Sequence, residues 1–271
     1  MGLPTPAPEI TAVVTGASSG IGAEIARDLA ARGYGLTLVA RRKDRLEALA
    51  AELAAAHDVR AEVVAADLTD ETARAAIVEA VAERGLQVGV LVNNAGVSTT
   101  GAVHASDPAA ELRMIRTDVE AVVHLCSLVL PAMVKRGSGG VLNVASTAAF
   151  QPLPGQAGYA ASKAFVLAYG QAVRAELKGT GVHFCTLCPG PVETEFGEAA
   201  GFTEAESSGA LPRIMWESAD AVARCGVDAL LAGRGVAIPG AANRVSAAVA
   251  AHVPRSLLVP LLASRHPALK R

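Results

Sequence analysis

Aromatic residues are scarce in this 271-residue chain, with five Phe, three Tyr and one Trp. So few rings leave no stacking platform for single-stranded nucleic acid, and the core has to be assembled from small aliphatic side chains. Cysteine is scarce as well. Cys126, Cys185, Cys188 and Cys225 are too few for a disulfide scaffold, so reduced, buried thiols are expected. Cys185 and Cys188 form a C-x-x-C, but inside the apolar run HFCTLC, where strand alternation points them to opposite faces rather than to one metal. An excess of one charge is absent too. Lys and Arg number 24 against 26 Asp and Glu, a net charge of −2, which gives no long-range pull on phosphate backbones or anionic lipid. No stretch of about 20 residues is continuously apolar, and the first ten lack the basic start and apolar core of a signal peptide. The expectation is a cytoplasmic protein with no nucleic-acid partner and no integral membrane segment. Its six histidines are scattered without ligand spacing, so no metal site is expected.

What is present is a large apolar fraction, 51% of the residues, enough to build a sizeable core. Short β-branched runs bounded by Gly or Asn alternate with longer Ala-rich segments of helical period. That alternation is the signature of repeated βα units and a parallel sheet. Strands are expected at Thr11–Thr15, Gly35–Ala40, Ala61–Ala65, Val88–Val92, Gly140–Ala145, Val182–Leu187 and Val236–Pro239. Their apolar runs are nearly continuous, as when helices cover both faces. Helices are expected at Gly20–Arg32, Lys43–His57, Asp70–Arg84, Pro108–Lys135, Tyr159–Gly179 and Ala219–Ala232. The sum is one domain over residues 1–271, a doubly wound parallel seven-stranded sheet. Two regions break the rhythm. Residues 195–216 are longer than a connection needs and read as either a substrate loop or a surface excursion. The apolar extension over residues 241–271, with Pro254 and Pro260, reads as a short amphipathic helix packed on the body or a second subunit, with peripheral membrane contact as the alternative.

The first expected strand runs straight into TGASSGIG and then into a helical segment. Gly16, Gly20 and Gly22 let the backbone turn sharply and let a pyrophosphate approach the first helix amides, whose dipole favours an anion. An acidic residue at the end of the second strand would bind the ribose hydroxyls of NAD. Here that strand ends in Ala40, followed by Arg41 and Arg42, which suit a 2′-phosphate. NADP(H) is therefore the expected cofactor, the other reading being two solvated arginines paired with Asp44 or Glu47. Asp67 and Leu68 end the third strand, where the adenine lies. Asn93, Asn94 and Gly96 of VNNAG face the crevice at the end of the fourth, either as cofactor contacts or as structural amides.

Ser146 follows the fifth strand, and thirteen residues on, YAASK places Tyr159 and Lys163 four apart, on one helix face. An ammonium one turn away favours the phenolate and lowers the tyrosine pKa from its usual value of about 10. Tyr159 can then exchange a proton with a substrate oxygen that Ser146 holds, while hydride passes between carbon and nicotinamide. In this order and spacing, TGASSGIG, NNAG, Ser146, YAASK and PGPVET resemble the short-chain dehydrogenase/reductase family over residues 10–240. The resemblance implies a Rossmann-like fold and assigns Ser146, Tyr159 and Lys163 to catalysis. It also implies that Gly16, Gly20, Ile21 and Gly22 meet the pyrophosphate, and Ser18 with Arg41 the 2′-phosphate. Asp67 and Leu68 meet the adenine, and Asn93, with Ala95 and Gly96 of its run, lies by the nicotinamide ribose. Lys163 and Tyr159 share that ribose side, and Pro189, Gly190, Val192 and Thr194 cradle the carboxamide. Many members carry an Asn that supports a proton relay in the long helix after NNAG. Here Asp118 stands in that place, and an extra carboxylate near Lys163 can alter the pH optimum.

The helix from Tyr159 has no charge from Ala164 to Val173, so it is apolar all round and needs cover on two sides. A homodimer or homotetramer is expected. Phe150, Leu153, Phe196, Leu211, Met215 and Trp216 suggest an apolar pocket for a small-molecule carbonyl or secondary alcohol. A non-catalytic NADP(H)-binding sensor or scaffold with the same fold is the alternative. The intact Ser146, Tyr159 and Lys163 favour the enzyme.

Overall fold

The structure, a computed structural model, describes residues 2–199, 212–265 and 269. Seven parallel strands form one sheet in the order β3-β2-β1-β4-β5-β6-β7. They are β1 (Ile10–Thr15), β2 (Gly35–Ala40), β3 (Ala61–Ala65), β4 (Gln87–Asn93), β5 (Gly139–Val144), β6 (Val182–Leu187) and β7 (Val236–Ala237). The order reverses between β1 and β4, which leaves a crevice at their carboxyl ends, the place where such sheets bind ligands. This is the Rossmann-like doubly wound arrangement.

On one face lie α1 (Gly20–Ala31) and α2 (Lys43–His57), whose buried Ile25, Leu29, Leu46 and Leu53 pack on Ala12, Val14, Leu36 and Leu38. The other face carries α3 (Glu71–Glu83), α4 (Pro108–Ile115), α5 (Ala121–Arg136) and α6 (Ala157–Glu176). There Ile77, Leu125, Val129, Met133 and Val166 pack on Val13, Val39, Leu91 and Val141. The side-chain period of two along each strand divides the core in this way. It also sends Cys185 to the first layer and Cys188 to the second, where burial pushes both thiols up to about 12.

Local chemistry sets the helix ends. The Asp70 carboxylate accepts from the Thr72 and Ala73 amides to start α3, and Asp107 does the same for α4 with Pro108 in its first turn. Gly137, in the left-handed region at φ 71°, ends α5. Between α4 and α5 the helix is wound as a π-turn over Arg116–Glu120. The whole run Pro108–Arg136 is long and apolar enough to cross a membrane by composition. Its apolar stripe is instead spent on the sheet, through Val122, Leu125, Cys126 and Met133.

After β6 come α7 (Phe196–Ala199), α8 (Ala219–Leu231), α9 (Ala241–His252) and α10 (Arg255–Arg265). The apolar extension is thus two helices rather than one, because Pro254 cannot continue the hydrogen-bond ladder of α9. Of the expected substrate loop, residues 200–211, Leu211 included, lie outside the described residues.

Candidate active site

The glycine turn after β1 is fixed by its neighbour strand. Thr15 donates its hydroxyl to the Val92 carbonyl at 3.1 Å and accepts from the amides of Asn94 and Ala95 at 3.0 and 3.1 Å. The Asn94 amide group donates to the carbonyls of Thr15 and Gly16. Gly16 is held at φ +66°, with the Ala95 backbone 2.8 Å from where a side chain would begin, so only glycine fits. The Ser19 side chain does not cap α1. Its first amides therefore face the crevice without a capping oxygen, the donor set that a pyrophosphate needs.

Two sequence-derived contacts turn inward instead. The Asn93 amide donates to Asn143 Oδ1 at 2.9 Å and to Cys126 Sγ, deep under the sheet end. Leu68 is buried in the core with Val39 and Ile77. What either offers the crevice is backbone. Asp67 accepts from the amide and hydroxyl of Thr69, both at 2.9 Å, and the Thr69 amide holds its carboxyl below the usual range.

The two arginines after β2 separate. Arg41 is exposed. Arg42 lies across the glycine turn, donating to Ser18 Oγ at 2.9 and 3.1 Å and to Ser19 Oγ at 2.7 Å. It also pairs with Glu195 at 2.8 Å, and Arg45 joins the same carboxylate at 2.7 Å. Sequence reasoning missed Ser19, Arg45 and Glu195. An Arg two residues into a helix that follows the Arg41–Arg42 pair was the available signal for Arg45, whereas nothing local in the sequence couples residue 45 to residue 195.

Ser146, Tyr159, Lys163 and Asp118 come together. Ser146 begins the 3-10 turn Thr147–Phe150, and its oxygen accepts from the Ala148 amide at 3.1 Å. The side chain also stands close enough to the Tyr159 phenol to favour its ionised form. Lys163 Nζ lies 5.6 Å from the centre of the Tyr159 ring, 3.0 Å from Asp118 Oδ2 and 3.3 Å from the Val144 carbonyl. The Lys163 side chain is 5% exposed and that of Asp118 0%. Asp118 Oδ1 accepts from the Val97 amide at 2.8 Å. Gly96 closes the pocket behind the pair, and a side chain there would begin 3.0 Å from Nζ and 3.2 Å from Oδ2. Asp118 is in the π-turn, where one residue too many in the helical turn re-aims a side chain.

The electrostatics differ from the simple expectation. Burial pushes the Tyr159 phenol up, and this outweighs the lowering by the Lys163 ammonium and the Ser146 side chain. Asp118 adds to the rise, since its carboxylate offsets the ammonium. In the protein alone the phenol therefore stands above its ordinary value, not below it. Burial opposes the charge on Lys163, but Asp118 and Tyr159 outweigh it and hold the ammonium above its ordinary value. Burial pushes the Asp118 carboxyl up, against Lys163 and the Val97 amide.

Opposite Tyr159, the loop after β6 folds back over the crevice. The Pro189 carbonyl accepts from the Thr147 amide at 2.8 Å. Val192 bridges to Glu217, the Gly190 backbone passes against Asn243, and Thr194 Cγ2 comes to 3.1 Å of where a Gly20 side chain would begin. The Phe196 ring lies 5.7 Å from that of Tyr159. Met215 sits beside Asn243, which donates to its carbonyl. An apolar wall thus stands over the Tyr159 hydroxyl, near the glycine turn that follows β1.

A family model described as short chain dehydrogenase matches residues 10–204. The chain is 37% identical over 191 residues to sulfoacetaldehyde reductase 2 of Chromohalobacter salexigens, covering 68% of this chain and 73% of that one. Among solved structures it is similar to a short-chain dehydrogenase from Sphingobium yanoikuyae in complex with NADPH. That likeness has a TM-score of 0.79 and 34% identity, covering 92% of this chain and 95% of that one. It is also similar to a 3-ketoacyl-(acyl-carrier-protein) reductase from Brucella melitensis complexed with NADH, with a TM-score of 0.75 and 29% identity, over 85% and 95% of the two chains.

Proposed function

The chain belongs to the short-chain dehydrogenase/reductase family, and on that footing we propose that it is an NADP(H)-dependent carbonyl reductase with Tyr159 as its acid and base. The observation that carries this reading is the Tyr159 ring 5.6 Å from the ammonium of the buried Lys163–Asp118 pair, with Ser146 beside it. Reduction of a carbonyl takes one hydride to carbon and one proton to oxygen. When bound, the nicotinamide supplies the hydride. The proton comes from Tyr159, whose raised pKa keeps it protonated at neutral pH. Ser146 takes the Ala148 N–H on its oxygen, which leaves its own proton to be donated to the substrate oxygen as charge develops there. Lys163, held by Asp118 and the Val144 carbonyl, supplies the positive charge that tempers the phenolate left after transfer.

Two solved structures to which the chain is similar hold a nicotinamide dinucleotide, NADPH in one and NADH in the other. The preference for NADP(H) here is supported by the absence of an acidic residue after Ala40 and by the arginines that replace it, Arg41 exposed on the surface and Arg42 over Ser18. The uncapped turn at Gly16, Ser18, Gly20, Ile21 and Gly22 fits the pyrophosphate, and the loop Pro189–Thr194 fits the nicotinamide end. The substrate is a neutral ketone or secondary alcohol of moderate size, taken between Tyr159 and an apolar wall that includes Phe196.

NADPH oxidation followed against a panel of carbonyls tests the activity. Tyr159→Phe is expected to lower kcat by about 10²–10⁴, and unchanged turnover in that variant overturns the mechanism. Titration of both dinucleotides tests the preference. Arg41→Asp is expected to shift it towards NAD(H), and tighter NAD(H) than NADP(H) binding by the unaltered protein refutes the assignment.

A further inference from the structure

Charge that balances over the whole chain is sharply segregated along it. From residue 229 to residue 271 there are six Lys or Arg and no Asp or Glu, so all 26 acidic residues lie in the first 228. Five of those bases, Arg244, Arg255, Arg265, Lys270 and Arg271, belong to the stretch that begins with α9. Several arginines of the main body find carboxylates, as Arg27, Arg32, Arg42 and Arg84 do. Among the described residues, Arg244 and Arg255 form no ion pair.

The same segment exposes aliphatic side chains. Helix α9 seats Asn243, Ala247 and Ala250 on the body and turns Val245 and Val249, one helical turn apart, outward at 64% and 55% exposure. Helix α10 half-buries Leu258, Val259 and Leu262 and exposes Leu257 and Leu261, again one turn apart, at 68% and 48%. Both terminal guanidinium nitrogens of Arg255 donate to the Phe150 carbonyl, each at 3.1 Å, and Nη1 also donates to the Ala250 carbonyl. The start of α10 is thereby pinned beside the turn that Ser146 begins.

We propose that the face formed by α9 and α10 docks peripherally on an anionic phospholipid bilayer. Short amphipathic helices with exposed Leu and Val, basic residues and no acids bind the headgroup boundary by apolar burial plus attraction to anionic lipid. A second copy is disfavoured as the occupant. A two-fold interface lays a patch against itself, and this patch would meet its own positive charge. The docked face adjoins the Phe150 wall of the pocket, so an apolar ketone dissolved in lipid is the substrate class this placement serves. That consequence rests on the proposed activity, whereas the docking does not.

Flotation of the full chain with vesicles of phosphatidylcholine alone, or of phosphatidylcholine with phosphatidylglycerol, tests the docking without any turnover. The protein is expected to float with the anionic vesicles only and to be released by high salt. The double substitution Leu257→Glu, Leu261→Glu, and separately Val249→Glu, should weaken the association by roughly tenfold or more. Reduction of a water-soluble ketone should stay unchanged in these variants. Absence of flotation with anionic vesicles, equal flotation with neutral ones, or flotation indifferent to all three substitutions overturns the proposal. So does an oligomer that these substitutions split while the unaltered chain ignores vesicles, since a second copy then covers the face.

Discussion

The Asp118 carboxylate sits where it can decide how acidic Tyr159 becomes. It is buried, it holds Lys163 at 3.0 Å, and it takes from the ammonium part of the field that would otherwise favour a phenolate. Asp118→Asn keeps an acceptor for the Val97 amide while deleting that charge. The phenol should then become more acidic, so the loss of reductase activity on raising the pH should begin at lower pH. The rise of alcohol oxidation should begin lower as well. Because burial raises the carboxyl of Asp118 itself, the unaltered protein should converge on the Asn variant as the pH falls and the carboxyl takes up its proton. Rate profiles against pH for both proteins check this, and coincident profiles show that the carboxylate is electrically silent towards Tyr159. Activity at neutral pH should stay within about tenfold, whereas Asp118→Ala, leaving a buried ammonium uncompensated, should cost about 3–5 kcal/mol of stability. Helical spacing made the company of Tyr159 and Lys163 legible in the sequence, and position in the long helix hinted at Asp118. The inward turn of Asn93 and Leu68 was not legible. A strand end that shifts by one residue exchanges crevice for core, and no local signal in VNNAG or AADL fixes that phase.

Secondary elements were readable where a single period governed them. The strands Gly35–Ala40, Ala61–Ala65 and Val182–Leu187 and the helix Lys43–His57 have the bounds that their apolar pattern dictates. Frayed helix ends differ by one to three residues, the largest where Tyr159–Gly179 became Ala157–Glu176, because capping, not periodicity, sets them. Two interruptions escaped the pattern. The π-turn at Arg116–Glu120 leaves hydrophobic spacing almost intact, and the break at Pro254 had been subsumed into one apolar run. A contact between elements far apart in sequence was equally invisible, namely the Arg42 and Arg45 grip on Glu195 that joins the start of α2 to the loop after β6. These two guanidinium groups hold the Glu195 carboxyl down to about 2, so it stays charged throughout the neutral range. It occupies the cations that a 2′-phosphate would use. Glu195→Gln should therefore free Arg42 and Arg45 and tighten NADPH binding by roughly two- to fivefold, the scale of an exposed ion pair, with less effect on NADH. Fluorescence titration of both dinucleotides reads the result. Weaker NADPH binding in the variant would mean that Glu195 instead fastens the loop over a bound dinucleotide.

At the scale of the molecule, two uncovered surfaces make opposite demands. The α9–α10 face carries Arg244 and Arg255, neither of them in an ion pair among the described residues, and cannot meet its own image without repulsion. Helix α6 is different. It spends Val166, Leu167, Gly170 and Val173 on the sheet and leaves Ala161, Phe165, Ala168 and Ala172 outward, an uncharged strip of small side chains with Phe165 stacked on Tyr169 at 5.8 Å. A flat strip without charge can lie against a second copy of itself about a two-fold axis, and small residues let the two backbones approach. The chain is therefore expected to form a homo-oligomer through α6. Sedimentation of the unaltered protein at micromolar concentration should show a species larger than a monomer. Ala168→Arg, which sets two cations against each other at the centre of such an interface, should return it to monomer, while Leu257→Glu with Leu261→Glu should leave it assembled. A monomer throughout refutes the assignment of α6. An oligomer that resists Ala168→Arg but yields to the α10 substitutions moves the interface to the basic face and removes that face from the membrane.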